Sequence, residues 1–140
     1  MKTLYGAALL LMATMLFSCE KNIPLPNYWG LPGKWAYSST NCNCAVNSVE
    51  SITNTTNQPD ILTFTPKSYQ RFVGGQLQSR GTYTVVNDTV QYSQQVATRI
   101  IYDGNTTAPK TFFRLSGNTL TLFSDTPITD GGIEINYVSQ

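Results

Sequence analysis

Histidine is absent from the 140 residues of this chain. Its absence removes the usual general base, the most common zinc ligand and any catalytic arrangement that pairs histidine with serine or cysteine. The chain also contains no Gly-x-Ser-x-Gly nucleophile motif and no group of carboxylates at short spacing. We therefore expect a protein that is not an enzyme and that has no cofactor and no metal site.

Charged side chains are also scarce, at 12% of the sequence. Nine basic residues stand against eight acidic ones, and no stripe of basic residues is interleaved with aromatic residues. This balance excludes nucleic acid as an expected partner, because a nucleic-acid interface needs clustered Lys and Arg. Thr, Ser, Asn and Gln are abundant, and a polar surface rich in Thr and Tyr favours exposed β-sheet.

The N-terminus has the pattern of an export signal. Lys2 precedes an apolar run at residues 4–17, which Ser18 and Cys19 follow. A charged start, an apolar run of this length and a small residue before the cleavage point predict a signal peptide over residues 1–18. A transmembrane helix is the alternative, but such a helix needs roughly 20 apolar residues.

Leu16-Phe17-Ser18-Cys19 resembles the lipobox of bacterial lipoproteins, in which the cysteine thiol is acylated. The resemblance implies that Cys19 carries acyl chains such as palmitate. Residues 19–32, with three prolines, are then a lipidated tether to the membrane. Because Glu20 rather than Asp follows Cys19, we expect a cell-envelope location at the outer membrane. Whether the protein faces the periplasm or the cell surface stays open.

Two further cysteines, Cys42 and Cys44, are separated by one residue. Export would expose them to an oxidising compartment, so we expect a Cys42–Cys44 disulfide. An intermolecular disulfide, two unpaired thiols and redox or metal chemistry are the alternatives. Two cysteines without histidine or a second cysteine pair do not complete a tetrahedral metal site.

The rest of the chain shows short runs of alternating apolar and polar residues separated by turn signals. Gly74-Gly75 and Asn87-Asp88 are two of these predicted turns. Evenly spaced strands joined by tight turns predict an antiparallel up-and-down meander closed into a barrel or sandwich. The predicted strands span residues 34–40, 60–65, 67–73, 80–86, 89–94, 97–102, 110–115, 119–123 and 133–138.

Three segments carry a resemblance to bacterial lipocalin-like domains. Gly33-Lys34-Trp35 resembles the Gly-x-Trp opening of lipocalins, residues 81–85 resemble a strand in the middle of the domain, and residues 113–122 resemble the closing hairpin. The resemblance covers residues 33–140 as one domain and implies an all-β, lipocalin-like barrel of eight to ten strands. It also implies that Gly33 and Trp35 close one end of the barrel. A basic side chain, Arg114 or Arg99, would then cover the indole ring.

The expected function is that of a lipid-anchored binding module for a small hydrophobic ligand. Aromatic residues predicted to face inward are the candidates for the ligand site: Tyr37, Phe64, Tyr83, Tyr92, Phe113 and Tyr137. The alternative is a non-catalytic structural or assembly partner in an outer-membrane protein complex, with Tyr28 and Trp29 as contacts to an envelope protein. A connected internal cavity would favour the first role, and a filled interior with an apolar outer patch would favour the second.

Overall fold

The computed structural model describes residues 30–43 and 59–140. The signal peptide, Cys19, the aromatic pair Tyr28 and Trp29, and Cys44 lie outside the described residues, so the predictions about them stay predictions. Among the described residues, no helix is long and apolar enough to cross a membrane.

The described residues form eight β-strands and one short 3₁₀ helix at Ile128–Asp130. The strands are β1 (Gly33–Cys42), β2 (Asp60–Phe64), β3 (Ser68–Val73), β4 (Gln76–Val90), β5 (Gln95–Tyr102), β6 (Thr111–Ser116), β7 (Thr119–Ser124) and β8 (Ile133–Ser139). Turns at Gly74-Gly75 and Gly117-Asn118 join β3 to β4 and β6 to β7, where the glycines adopt positive φ angles.

Each strand pairs antiparallel with the next, and β8 pairs back with β1, so the sheet closes into a barrel with strand order β1 to β8. This confirms the prediction of an all-β, antiparallel up-and-down barrel that is lipocalin-like in architecture. Within the eight described strands no sheet edge is unpaired, and such closure is a usual way in which antiparallel proteins avoid edge-to-edge association.

The predicted turn at Asn87-Asp88 is wrong. Strand β4 runs without interruption to Val90, and the chain reverses at residues 91–94, where Gln94 adopts a φ of 55°. The Asp88 side chain lies within hydrogen-bonding distance of Arg99 and Lys110, so a residue with low strand propensity is held within a continuous ladder. The described barrel therefore has eight strands, which lies within the eight to ten expected from the sequence, and residues 80–86 and 89–90 belong to one strand.

Alternation along the strands directs one set of side chains into the barrel. These inward-facing residues form a contiguous core at the end where β1 begins and β8 ends. The core cluster consists of Leu31, Trp35, Leu62, Phe64, Tyr83, Ile100, Phe113, Leu120, Leu122 and Tyr137. Leu31, which the sequence analysis assigned to the tether, is fully buried in this cluster.

Trp35 is buried at this end, as the lipocalin resemblance implies. Its Nε1 donates a hydrogen bond to the carbonyl oxygen of Leu31 at 2.9 Å, which satisfies the indole N–H inside the core. Gly33 starts the strand with a φ of 155°, a conformation that residues with a side chain rarely adopt.

The expectation that an arginine covers Trp35 is wrong for both candidates. Phe113 faces the core, so alternation places Arg114 on the outer wall, where it pairs with Glu134. The Arg114 guanidinium carbon lies 5.4 Å from the centre of the Phe123 ring. Arg99 also belongs to the outer wall and bonds to Asp88 at 3.1 Å. Arginines on the outer face of the sheet do not reach a tryptophan on its inner face.

Candidate ligand-binding cavity

A cavity of about 460 Å³ occupies the end of the barrel opposite Leu31. It lies where β6 and β8 begin and β7 ends, and its mouth is formed by residues such as Thr111, Ser124 and Ile133. Small-molecule sites in proteins commonly have volumes of about 300–1,000 Å³. The cavity is therefore large enough for one small ligand.

The floor of the cavity is the inner surface of the hydrophobic core. Leu62, Leu122 and Tyr137 belong to the core cluster and also line the cavity, and Ile135 packs against the cluster from β8. Because these side chains are fixed by close packing, the apolar wall is formed by the fold itself. Such a wall suits the apolar body of a ligand.

An ion pair lies inside the barrel beside this wall. Arg71 on β3 lines the cavity, and its Nε and Nη2 donate hydrogen bonds to Asp60 on β2 at 3.0 and 2.7 Å. The Asp60 side chain is 6% exposed and the Arg71 side chain 33%. Hydrogen bonding to Asp60 raises the pKa of the Arg71 guanidinium, so the arginine keeps its charge at any physiological pH.

Two buried tyrosines, Tyr102 and Tyr137, present phenol groups to the same cavity. Burial raises the pKa of Tyr137 to about 12 and raises that of Tyr102 further. Both phenols are therefore neutral hydrogen-bond donors near neutral pH. Within the described part of the chain, neither hydroxyl has a hydrogen-bond partner.

A third tyrosine, Tyr69, is held in place at the wall of the cavity. Its hydroxyl donates to Asp103 Oδ2 at 3.1 Å, and its ring packs edge-on against Tyr102 with centroids 4.7 Å apart. Burial and the hydrogen bond to Asp103 raise the pKa of Tyr69. Asp103 also accepts the backbone N–H of Thr82 at 2.8 Å, so one carboxylate fixes both the ring and the neighbouring strand.

Lys110 stands at the rim of the cavity, just before β6. Its Nζ lies 3.1 Å from Asp88 Oδ2 and 4.0 Å from Asp125 Oδ2. Both acids belong to the outside of the barrel, so Lys110 bridges the outer wall and the cavity mouth. The hydrogen bond from Lys110 is the largest of the contacts that lower the pKa of Asp88.

The structure places five of the six predicted ligand contacts inside the barrel, but only some of them near the cavity. Tyr137 lines the cavity, and the ring of Tyr37 packs edge-on against it with centroids 6.2 Å apart. Phe64, Tyr83 and Phe113 face inward as predicted, but they are buried in the packed core and do not line the cavity.

The prediction that Tyr92 faces the barrel interior is wrong. Tyr92 lies in the turn after β4 and is 50% exposed, because the strand that was expected to hold it ends at Val90. Its ring borders a shallow depression on the outer wall next to Arg114 and Phe123.

Sequence reasoning missed four polar residues at or beside the cavity, namely the ion pair of Asp60 and Arg71 and the tyrosines Tyr69 and Tyr102. For Asp60 and Arg71, the alternation of inward and outward residues along the strands already indicated an inward position. Asp60 shares the inward parity of Leu62 and Phe64, and Arg71 shares that of Tyr69. Opposite charges at inward positions of two consecutive strands indicate an internal ion pair, because a buried charge needs a partner.

The structure also bears on the cysteines and on metal binding. Cys42, at the end of β1, is disulfide-bonded, and its partner lies outside the described residues. Pairing with Cys44 therefore stays a prediction. No group of three or more acidic or cysteine side chains within residues 30–43 and 59–140 is arranged to hold a metal ion.

No protein-family model matches the chain, and no curated protein matches it in sequence. The class of the protein is therefore defined by its fold and its cavity. It is a closed eight-stranded antiparallel barrel of the lipocalin-like type, with an internal cavity at one end.

Proposed function

We propose that the barrel is a binding module that holds one small, largely apolar ligand in this cavity. The observation that carries the proposal is the cavity of about 460 Å³ with its aliphatic and aromatic floor and few polar groups. Eight-stranded barrels either fill their interior with side chains or hold one small ligand. A fully packed interior would have favoured the alternative role as an assembly partner.

A test is native mass spectrometry of the full-length chain isolated from the cells that express it. We expect a small molecule to be retained by the native protein and lost in Thr111→Trp, because Thr111 lines the cavity and a tryptophan there would fill it. Ser116→Trp is the matched control, since Ser116 is an exposed residue at the other end of the same strand. An adduct carried equally by both variants would place the ligand elsewhere and contradict the proposal.

We also propose that an acylated Cys19 tethers this module to the outer membrane. The support is the lipobox-like sequence at residues 16–19 and the proline-rich segment that follows it. Metabolic labelling with a fatty-acid analogue should mark the native chain and leave Cys19→Ala unlabelled. Label on the alanine variant would show that Cys19 is not the acylation site.

Fractionation of the labelled cells should recover the chain with the outer membrane. Protease treatment of intact cells then distinguishes the two faces, because a surface-exposed domain is digested and a periplasmic one is protected. Recovery with the inner membrane would contradict the location inferred from Glu20.

A further inference from the structure

The charges that line the cavity have one sign. Among the described residues of the lining, Arg71 and Lys110 are charged, both are basic, and no carboxylate is present. Asp60, which pairs with Arg71, lies behind the guanidinium and is not part of the lining. A ligand entering this cavity therefore contacts cations, hydroxyl groups and apolar groups, and it contacts no carboxylate among the described lining residues. The charge of Asp60 acts on Tyr137 from behind the lining.

Arg71 retains hydrogen-bonding capacity toward the cavity. A guanidinium has five N–H groups, and Asp60 uses donors on Nε and Nη2. Nη1 makes no hydrogen bond within the described part of the chain. The two-point contact with Asp60 fixes the plane of the guanidinium, so the remaining donors have a defined direction before any ligand arrives.

The tyrosine hydroxyls add donors beside this guanidinium. Tyr102 and Tyr137 line the same cavity, and the positive charge of Arg71 acts on both phenol groups. Neither hydroxyl makes a hydrogen bond to another residue within 30–43 and 59–140. The charged groups of the lining are thus donors only, and Tyr102 and Tyr137 add hydroxyl donors beside the guanidinium. A group with anionic oxygens complements such an arrangement.

Building on the proposed function, we infer that the ligand carries an anionic oxygen head, a carboxylate on an apolar body, and that Arg71 receives this head inside the barrel. Tyr102 and Tyr137 would donate to the same oxygens, and the floor of Leu62, Leu122 and Ile135 would contact the apolar body.

A contribution to stability does not by itself explain why an ion pair occupies this position inside the barrel. A well-packed hydrophobic pair of similar volume is often as stabilising as a buried ion pair, or more so. Unlike a hydrophobic pair, Asp60 and Arg71 hold a charged hydrogen-bond donor at the wall of a largely apolar cavity. Charge-assisted hydrogen bonds are roughly twice as strong as neutral ones, so this donor discriminates between an acid and an uncharged analogue.

The test compares octanoate with octan-1-ol, which share an apolar chain and differ in the head group. Binding of each to the purified full-length chain is measured at neutral pH by titration calorimetry, with the same medium lacking protein as the blank. We expect octanoate to bind about tenfold or more tightly than the alcohol.

Asp60→Asn/Arg71→Gln removes both charges of the internal pair and keeps polar groups in their place. In this variant, octanoate binding should weaken about tenfold while octan-1-ol binding changes by less than about threefold. Arg114→Gln/Glu134→Gln is the matched control, because it removes an ion pair of the same charges from the outer wall. The control should keep the native preference for the acid.

Equal binding of acid and alcohol to the native chain would overturn the inference and leave the proposed function standing. A preference that survives in Asp60→Asn/Arg71→Gln would also overturn it, because the anion would then be held elsewhere. If neither compound binds the native chain, this inference fails, and the native mass spectrometry of Thr111→Trp and Ser116→Trp decides the proposed function independently. The comparison in the native chain decides the question even if the double variant does not fold.

Discussion

Arg71 and Asp60 meet inside the barrel on neighbouring strands, with Nε 3.0 Å from Oδ1 and Nη2 2.7 Å from Oδ2. The two side chains differ in their access to water, because Asp60 is 6% exposed and Arg71 33%. The loss in the free energy of unfolding on breaking the pair should therefore depend on which partner is removed.

Arg71→Met should lower the free energy of unfolding by about 3–5 kcal/mol, because it leaves a buried carboxylate without a partner. Asp60→Asn should cost less, about 1–3 kcal/mol, since the remaining arginine reaches water through the cavity. Urea unfolding of both variants measures the difference, and the double variant Asp60→Asn/Arg71→Met should recover part of the loss. A larger loss in Asp60→Asn than in Arg71→Met would contradict the assigned burial.

Trp35→Ala should destabilise the domain by about 3–5 kcal/mol, because it removes a large buried ring and its hydrogen bond to Leu31. Tyr92→Ala is the control aromatic truncation, and it should change stability by less than about 0.5 kcal/mol, since Tyr92 lies in an exposed turn. Thermal or urea unfolding distinguishes the two. A loss below about 1 kcal/mol for Trp35→Ala would show that the indole is not packed as described.

Gly81→Ala should destabilise the barrel by about 1–3 kcal/mol, because the added Cβ would displace the Asp103 carboxylate from its hydrogen bonds to the Thr82 N–H and the Tyr69 hydroxyl. A Cβ at Gly81 would collide with Asp103 Oδ1, the atom that accepts the Thr82 N–H. Asp103→Gly removes this obstacle, so Gly81→Ala should cost much less in that background. Additive effects in the double-mutant cycle would mean that the two positions do not collide.

Alkaline pH should weaken the fold through the buried tyrosines. Burial raises the pKa of Tyr137 to about 12 from an ordinary value of 10.0, so the folded state keeps a proton that the unfolded state loses. The stabilisation from Tyr137 is complete below pH 10, and it falls by about 1.4 kcal/mol per pH unit as the pH rises from 10 toward 12.

Unfolding by urea at a series of pH values, with Tyr137→Phe as the control, measures this dependence. The Phe variant lacks the titrating group, so its stability should fall less steeply over the same interval. The same slope in both proteins would show that Tyr137 is not a source of the alkaline instability.

The barrel could be predicted from the sequence because alternation and turn signals repeat along the chain. The Trp35 face was predictable because two large aromatic residues, Trp35 and Tyr37, stand two positions apart at the start of its strand. The position of Tyr92 was not predictable, because Asn and Asp at 87 and 88 are typical of a turn. The ion pairs that Asp88 makes within β4 come from Arg99 and Lys110 on other parts of the chain, and the local sequence does not show them. The cavity was not predictable either, because which inward side chains pack and which leave space depends on the barrel's closure in three dimensions.

A crystal structure of the chain with 8-bromooctanoate, using the anomalous signal of bromine, tests the central claim most directly. We predict one bromine position inside the barrel near Leu122 and Ile135, with the carboxylate density at Arg71. Bromine bound only on the outer wall, or a barrel interior without ligand density at saturating 8-bromooctanoate, would contradict the assignment of the cavity as the binding site.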